Sequence, residues 1–270
     1  MDVATIGLIE DEDILLDLAS LALSRLDHAN SDIAPYLKTL EEIEDRLCEE
    51  GRSAVLPRER AAVLSRVLHG ELGFVGDIDG YDEPANADFI RVLDRKRGLP
   101  IALSILYVAM ARRTGWNAYV LNLPGHVLVQ IGEERPVVID PFAGGALVPE
   151  GKIAAICRAC LDEEGGASAL SVFRMSNRDV LARLLNNQAV RAEDGNDNRR
   201  ALEMYQRITR IAPEVLDAWR KLARRQLAFN DVAGARESLV AMSEVASDRN
   251  TRNRIMEAFE ALGSAKPASQ

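Results

Sequence analysis

Two side chains in this sequence, His126 and Asp140, combine residue types and spacing suited to acid–base chemistry. His126 ends the turn-like stretch Leu123-Pro124-Gly125-His126 and opens the apolar run Val127-Leu128-Val129-Gln130-Ile131. Asp140 lies in Val137-Val138-Ile139-Asp140-Pro141-Phe142, which follows the turn residues Gly132-Glu133-Glu134-Arg135. Two branched apolar runs of strand length about a turn read as an antiparallel hairpin. A hairpin about that turn puts His126 and Asp140 opposite, or nearly opposite, each other. An imidazole bonded to a carboxylate across a ladder has a fixed tautomer and a more basic ring. Such a pair is half of a catalytic unit; the other half is a nucleophile within reach.

The stretch upstream is where a nucleophile would have to stand. Arg97-Gly98-Leu99-Pro100 opens the apolar run Ile101 to Arg113, which stops at Thr114-Gly115. Proline at a first helical position and glycine just past the last define a helix. Pro100 itself has no nucleophilic side chain. Ser104 is one turn further on, about 6 Å along the axis, and is the alternative nucleophile. It lacks the helix-end position where a dipole activates such a group. The plainer role for its hydroxyl is a bond back to a backbone carbonyl.

Metal chemistry finds little support. Cys157 and Cys160 form a lone C-x-x-C, zinc needs further ligands, and no second Cys or His cluster follows. Their spacing also suits packing within a helix. Asp77, Asp79 and Asp82 in the segment GDIDGYDEP have neither the remaining loop nor the closing Glu of a calcium hand, and read as a solvated loop. We expect no metal and no cofactor. His28 reads as an exposed residue between helices, and His69 as a polar residue near a helix end.

The order of helix start, His strand and Asp strand resembles the core of the transglutaminase-like superfamily, which includes papain-like cysteine enzymes. That resemblance implies a nucleophilic Cys at the start of the helix, and the position falls at or beside Pro100. The three signatures Arg97-Gly98-Leu99-Pro100, Pro124-Gly125-His126 and Asp140-Pro141-Phe142-Ala143-Gly144 are similar, more closely, to those of the SirB-type bacterial regulators. So are Gly70-Glu71-Leu72-Gly73-Phe74 and the stretch Asn86 to Arg97. That family carries the signatures without the Cys and continues into helical repeats. The resemblance implies bacterial regulation and names no target.

The elements around this core are mostly helical. Residues 6–27 carry Ile14, Leu15, Leu18, Leu21, Ala22 and Leu26 at helical spacing after acids that suit a helix N-terminus. A second helix, capped by Ser31 or Asp32, runs to Glu50 and Gly51, and a third from Pro57 to His69-Gly70. A short helix spans Asn86 to Arg95. The cluster Arg91, Arg95, Lys96 and Arg97 pairs with the acidic N-terminal helices, or holds an anionic ligand beside the helix that starts at Pro100.

The last third repeats itself. Asn196-Asp197-Asn198-Arg199-Arg200-Ala201 maps onto Asn230-Asp231-Val232-Ala233-Gly234-Ala235 at an offset of 34 residues, and Leu202 to Pro213 maps onto Arg236 to Ser247. That period is the mark of tetratricopeptide-like helix pairs. Helices are expected over 179–193, 197–212, 215–229, 232–246 and 250–262. The reading is therefore α+β: a helical N-terminal region, a transglutaminase-like core with a small antiparallel sheet, and C-terminal α-helical repeats. Residues 1–165 form the first domain and 178–265 the second, with Gly165-Gly166-Ala167-Ser168 as linker.

Composition narrows the partners. The net charge of −9 argues against a general nucleic-acid binder. Residues 1–90 alone hold 21 Asp/Glu against 7 Lys/Arg, a surplus that reads as a solvated helical surface or an acidic face for a basic partner. No stretch is long and apolar enough to span a membrane. With only three cysteines, and a first dozen residues unlike a signal peptide, a cytoplasmic setting is expected. The sequence reads as a non-catalytic regulatory or interaction protein. Its partner, a protein or peptide, would meet the repeats at Arg220, Arg224 and Arg225. The alternatives are a hydrolase or acyltransferase using His126, Asp140 and Ser104, or a binder of a small ligand or peptide in the old cleft.

Overall fold

The structure, a computed structural model, describes residues 3–161 and 167–264. It divides into two compact units, one built on Ile9–Leu184 and the other on Val3–Leu8 with Leu185–Gln270. The fold is α+β, with one small antiparallel sheet among helices.

The long first helix expected over 6–27 is broken in two, α1 (Val3–Leu8) and α2 (Leu16–Arg25), with a 3-10 turn at Asp11–Asp13 between them. The break contains Asp11. Its carboxylate accepts the amides of Asn177 and Arg178, both at 2.9 Å. An acid in this run does cap a helix, but the helix lies 166 residues away in sequence. In α3 (Ala34–Glu50), Leu40, Ile43 and Leu47 are buried, and the chain stops at Gly51, whose amide bonds to Leu47. Helix α4 (Pro57–Leu64) is capped by Glu59, which accepts the amides of Val55 and Leu56. It runs on into a wider π-helical stretch, Ser65–Glu71.

Strand β1 (Val75–Gly76) pairs in parallel with β2 (Arg97–Gly98), and α5 (Phe89–Arg95) lies between them in sequence. Asp88 caps α5 through the amides of Ile90 and Arg91. The same carboxylate bonds His28 Nε2 at 2.6 Å. His28 is therefore not the exposed residue expected, since only 17% of its side chain is open. Helix α6 (Pro100–Arg113) follows at once, with every residue from Ile101 to Ala111 buried. A helix apolar on all sides is a core element, and the rest of this unit is laid around it.

The main sheet has the order β3 (Ala118–Leu123), β4 (His126–Ile131), β5 (Val137–Asp140), β6 (Ala146–Leu147), antiparallel throughout. One face carries Leu121, Leu123, Leu128 and Val138 against Ile153 of α7 (Glu150–Leu161) and Leu170 of a 3-10 segment, Ala167–Phe173. The alternate residues, among them Val129, Ile131 and Ile139, are buried on the other face, the side of α6.

In the second unit, α8 (Asn177–Asp194) carries the division between units within its length. It is followed by α9 (Asn198–Ile211), α10 (Leu216–Ala228), α11 (Val232–Val245) and α12 (Arg249–Ser264). The 34-residue offset is visible at atomic detail. Asn196 and Asn230 are both left-handed, at φ 63° and 58°. The next residues, Asp197 and Asp231, cap α9 and α11 through the amides of Arg200 and Gly234, at 3.0 and 2.9 Å. Ala201 and Ala235, and again the C-cap residues Ala212 and Ala246, are buried. Ala223, Ala235, Leu239, Ala246 and Ile255 form a core shared by α10, α11 and α12.

Candidate functional site

The site must be built from α6 and the sheet. Pro100 occupies the first turn of α6 behind Leu99, so the place at or beside which the resemblance implies a nucleophile holds a ring and no reactive atom. Ser104 is wholly buried, and its hydroxyl has no hydrogen-bond partner. Solvent does not reach it and no base touches it, so it does not stand in for a nucleophile. Tyr107, three residues on, has the same condition: no exposure and an unpartnered hydroxyl. Burial pushes the Tyr107 phenol well above its ordinary pKa, and the nearby Asp140 charge pushes it the same way. It stays protonated and offers no base.

His126 and Asp140 do lie on neighbouring antiparallel strands. The register pairs Val129 with Ile139 and Gln130 with Val138, so Asp140 falls level with Leu128 rather than His126. His126 is instead paired with Leu123 across the β3–β4 hairpin, whose two-residue turn is Pro124-Gly125 with Gly125 at φ 75°. Strand β3 is what the sequence reading lacked. His126 is exposed at that hairpin tip, two residues diagonally from Asp140 on the same face, and no hydrogen bond joins the two.

The Asp140 carboxylate is used elsewhere. It accepts the amides of Phe142 at 3.0 Å and Ala143 at 3.3 Å, and so caps the 3-10 turn Pro141–Ala143. That turn aims Phe142 at Gly76, where an added Cβ would meet the ring at 2.5 Å, and at Tyr81, edge-on at 5.8 Å between centroids. Gly144 and Gly145 then pass under the π-helical stretch. Ser65 Oγ donates to the Gly144 carbonyl at 2.6 Å, and the His69 ring lies over Gly144. His69 Nδ1 bonds the Phe74 carbonyl at 3.1 Å. The signature Asp140 to Gly145 is thus a packing device. Asp140, Phe142, the two glycines, Ser65 and Tyr107 form it, and of these the sequence signature held Asp140, Phe142 and Gly144 but not Gly145, Ser65 or Tyr107.

This geometry separates the two members of the expected pair. Asp140→Ala should lower stability by about 1–2 kcal/mol, the usual loss for a capping carboxylate. His126→Ala should change it by less than about 0.5 kcal/mol, as for an exposed residue with no partner. Urea denaturation midpoints measure both. Equal losses, with a double variant no worse than either single one, would mean that the residues act as a bonded pair.

The three arginines of the basic cluster are paired within the first unit. Arg95 bonds Asp77 and Glu83, each at 3.0 Å, and Asn86 at 3.0 Å. Arg97 reaches Asp77 at 3.7 Å, and Arg91 pairs with Asp94 at 3.8 Å. The partners are thus the 77–83 loop and α5 itself, and not the N-terminal helices. Burial raises the Asp77 pKa, but the Gly80 amide, Asn86 and Arg95 outweigh it and hold the carboxyl below its ordinary value. A depressed carboxylate contributes stability above its unfolded pKa and loses it as pH falls through the folded value. Acid titration of stability should therefore show a loss below the ordinary Asp range, and Asp77→Asn should flatten that part of the curve.

Among the described residues, no group of three His, Cys, Asp or Glu is placed to hold a metal ion. The side chains of Cys157 and Cys160, and Gly165 and Gly166 of the expected linker, lie outside the described residues. Cys48 is a free, exposed thiol on α3. In the second unit, Arg225 bonds Glu193 at 3.0 Å and Asn198 at 2.5 Å. Arg220 is exposed and pairs with Asp217 three residues back. Arg224 is exposed.

Residues 34–186, which span α3 through most of α8, match the model of the transglutaminase-like superfamily, and the chain belongs to that superfamily. It is similar to a UPF0162 protein of Xylella fastidiosa, 27% identical over 241 residues, which covers 87% of this chain and 85% of that one. A UPF0162 protein of Vibrio cholerae is 29% identical over 105 residues, 37% of this chain and 39% of that one. F-box only protein 21 of Mus musculus is 34% identical over 67 residues, 25% of this chain and 11% of that one.

Proposed function

We propose that this chain is a non-catalytic member of the superfamily, of the SirB type, that works in the cytoplasm as a regulatory or interaction module. The reading rests above all on Asp140, whose carboxylate is occupied by the amides of Phe142 and Ala143 and orients no imidazole. A catalytic unit needs nucleophile, base and orienting group within mutual reach. Here Pro100 has no nucleophile, Ser104 is sealed in the core and His126 stands apart.

The partner-binding part is the helical C-terminal unit, which we read as tetratricopeptide-like and place over residues 178–265, after a transglutaminase-like domain over 1–165. The matching loops at Asn196-Asp197 and Asn230-Asp231 support that reading. Repeats of this kind present extended surfaces to peptides or proteins. The exposed Arg220 and Arg224 are the residues to test.

The experiment is genetic complementation of a strain lacking the protein, with circular dichroism to establish that each variant is folded. His126→Ala and Ser104→Ala should complement as the parent does. Arg220→Glu with Arg224→Glu should fail or weaken. Failure of folded His126→Ala, with the arginine variant active, would replace this reading with a chemistry or ligand site in the cleft.

A further inference from the structure

One cavity of the first unit lies away from His126 and Asp140. It has a volume of 830 Å³, within the ordinary range for small-ligand sites of about 300–1,000 Å³. Its floor is the apolar cluster of Val138, Ile153 and Leu170. Val148 and Leu147 line its side, where β6 ends and Pro149 turns the chain into α7. Leu147 is 44% exposed, an open apolar wall.

The rim carries charge of one prevailing sign. Arg58, from the first turn of α4, and Arg135, from the β4–β5 turn, both line the opening. The turn packs directly on the start of α4: a Cβ on Gly132 would come within 2.6 Å of the Pro57 ring. Both arginines are exposed, and no ion pair or hydrogen bond engages either guanidinium among the described residues. Arg46, Arg66, Arg95 and Arg113 of the same unit are, by contrast, held by carboxylates. Glu150 shares the rim, so two guanidiniums face one carboxylate and the opening is net positive. Arg135 is also left-handed at φ 51°, a conformation that suits Gly or Asn and costs an arginine roughly 1–2 kcal/mol. Strain of this kind collects where the side chain has work beyond folding.

We propose that this cavity binds a small amphipathic carboxylate, an aliphatic fatty acid. Its chain lies on Val138, Val148, Ile153 and Leu170, and its carboxylate is held by Arg58 and Arg135. An apolar floor with a few convergent polar groups at the mouth is the usual form of such a site. The guanidinium fork matches a carboxylate in shape and charge.

Isothermal titration calorimetry of the full chain with decanoate, below its micelle concentration, tests this. Decanol and decylamine serve as probes with the same chain and a different head. Decanoate should bind, decanol roughly tenfold more weakly, and decylamine not detectably. Arg58→Ala and Arg135→Ala should each weaken decanoate roughly tenfold and leave decanol unchanged. Ala154→Phe, which fills the cavity from α7, should abolish binding of decanoate and decanol together while circular dichroism remains that of the parent. Equal affinity for decanoate and decanol, no effect of either arginine, undiminished binding to Ala154→Phe, or no binding of decanoate at all would overturn the proposal.

Discussion

Arg113→Ala should cost about 3–5 kcal/mol of stability, the loss expected when a buried carboxylate is stripped of its cation. Arg113 ends α6 and reaches back to two other helices. Its Nε donates to Asp17 of α2 at 2.6 Å, and a second nitrogen donates to Glu44 of α3 at 2.8 Å. The Asp17 side chain is only 3% exposed. It also accepts the Leu18 amide, but one amide does not replace a guanidinium. With Arg113 gone, the buried Asp17 carboxylate loses its cation. The double variant Arg113→Ala with Asp17→Ala should lose less than the sum of the two single variants, since it removes both charges together. Guanidinium chloride midpoints of the four proteins give the coupling. A single Arg113→Ala loss below about 1 kcal/mol would show that solvent already reaches Asp17.

Much of the helical architecture was legible because its signals are local. Pro100 and Gly115 bound α6, Pro57 opens α4, and Gly51 follows α3. The 34-residue offset showed the helix pairs because the α8–α9 and α10–α11 loops repeat the same asparagine and aspartate geometry. What stayed hidden depends on long-range contact. Nothing near Asp11 in sequence says that it caps a helix at Asn177, and so a single long N-terminal helix was expected where two form. Nothing near His28 points to Asp88.

The site was misread for a related reason. Ala118 to Leu123 is a short run that ends in Pro-Gly, and its pairing with β4 takes His126 into a tight hairpin. Without β3, the only visible partner for His126 was β5. Asp140 was read as a strand residue facing an imidazole, whereas the backbone amides of its own turn are nearer and already oriented. A carboxylate before Pro-Phe and a pair of glycines is as good a signature of a cap as of a catalytic acid. The glycines of that signature therefore become the sharper test of what the motif does.

Gly145→Ala should destabilise the protein by about 2–5 kcal/mol, from two separate causes. Its backbone is left-handed at φ 77°, where a Cβ costs roughly 1–2 kcal/mol. An added Cβ would also stand 2.9 Å from the Ser65 Cβ and 3.0 Å from a ring carbon of Tyr107, and relieving that overlap typically costs about 1–3 kcal/mol. Neither neighbour can yield easily: Ser65 is bonded to the Gly144 carbonyl, and Tyr107 is fully buried in α6. Gly151 is the matched control. It lies in α7, is exposed, and has nothing within 4 Å of an added Cβ. The same substitution there should stabilise by roughly 0.5 kcal/mol, because it narrows the unfolded ensemble without touching the folded one. Thermal and urea denaturation of the two variants should thus move in opposite directions. A Gly145→Ala protein as stable as the parent would mean that the turn after Asp140 is not packed against Ser65 and Tyr107. The Asp140 carboxylate would then be available to a partner other than its own backbone.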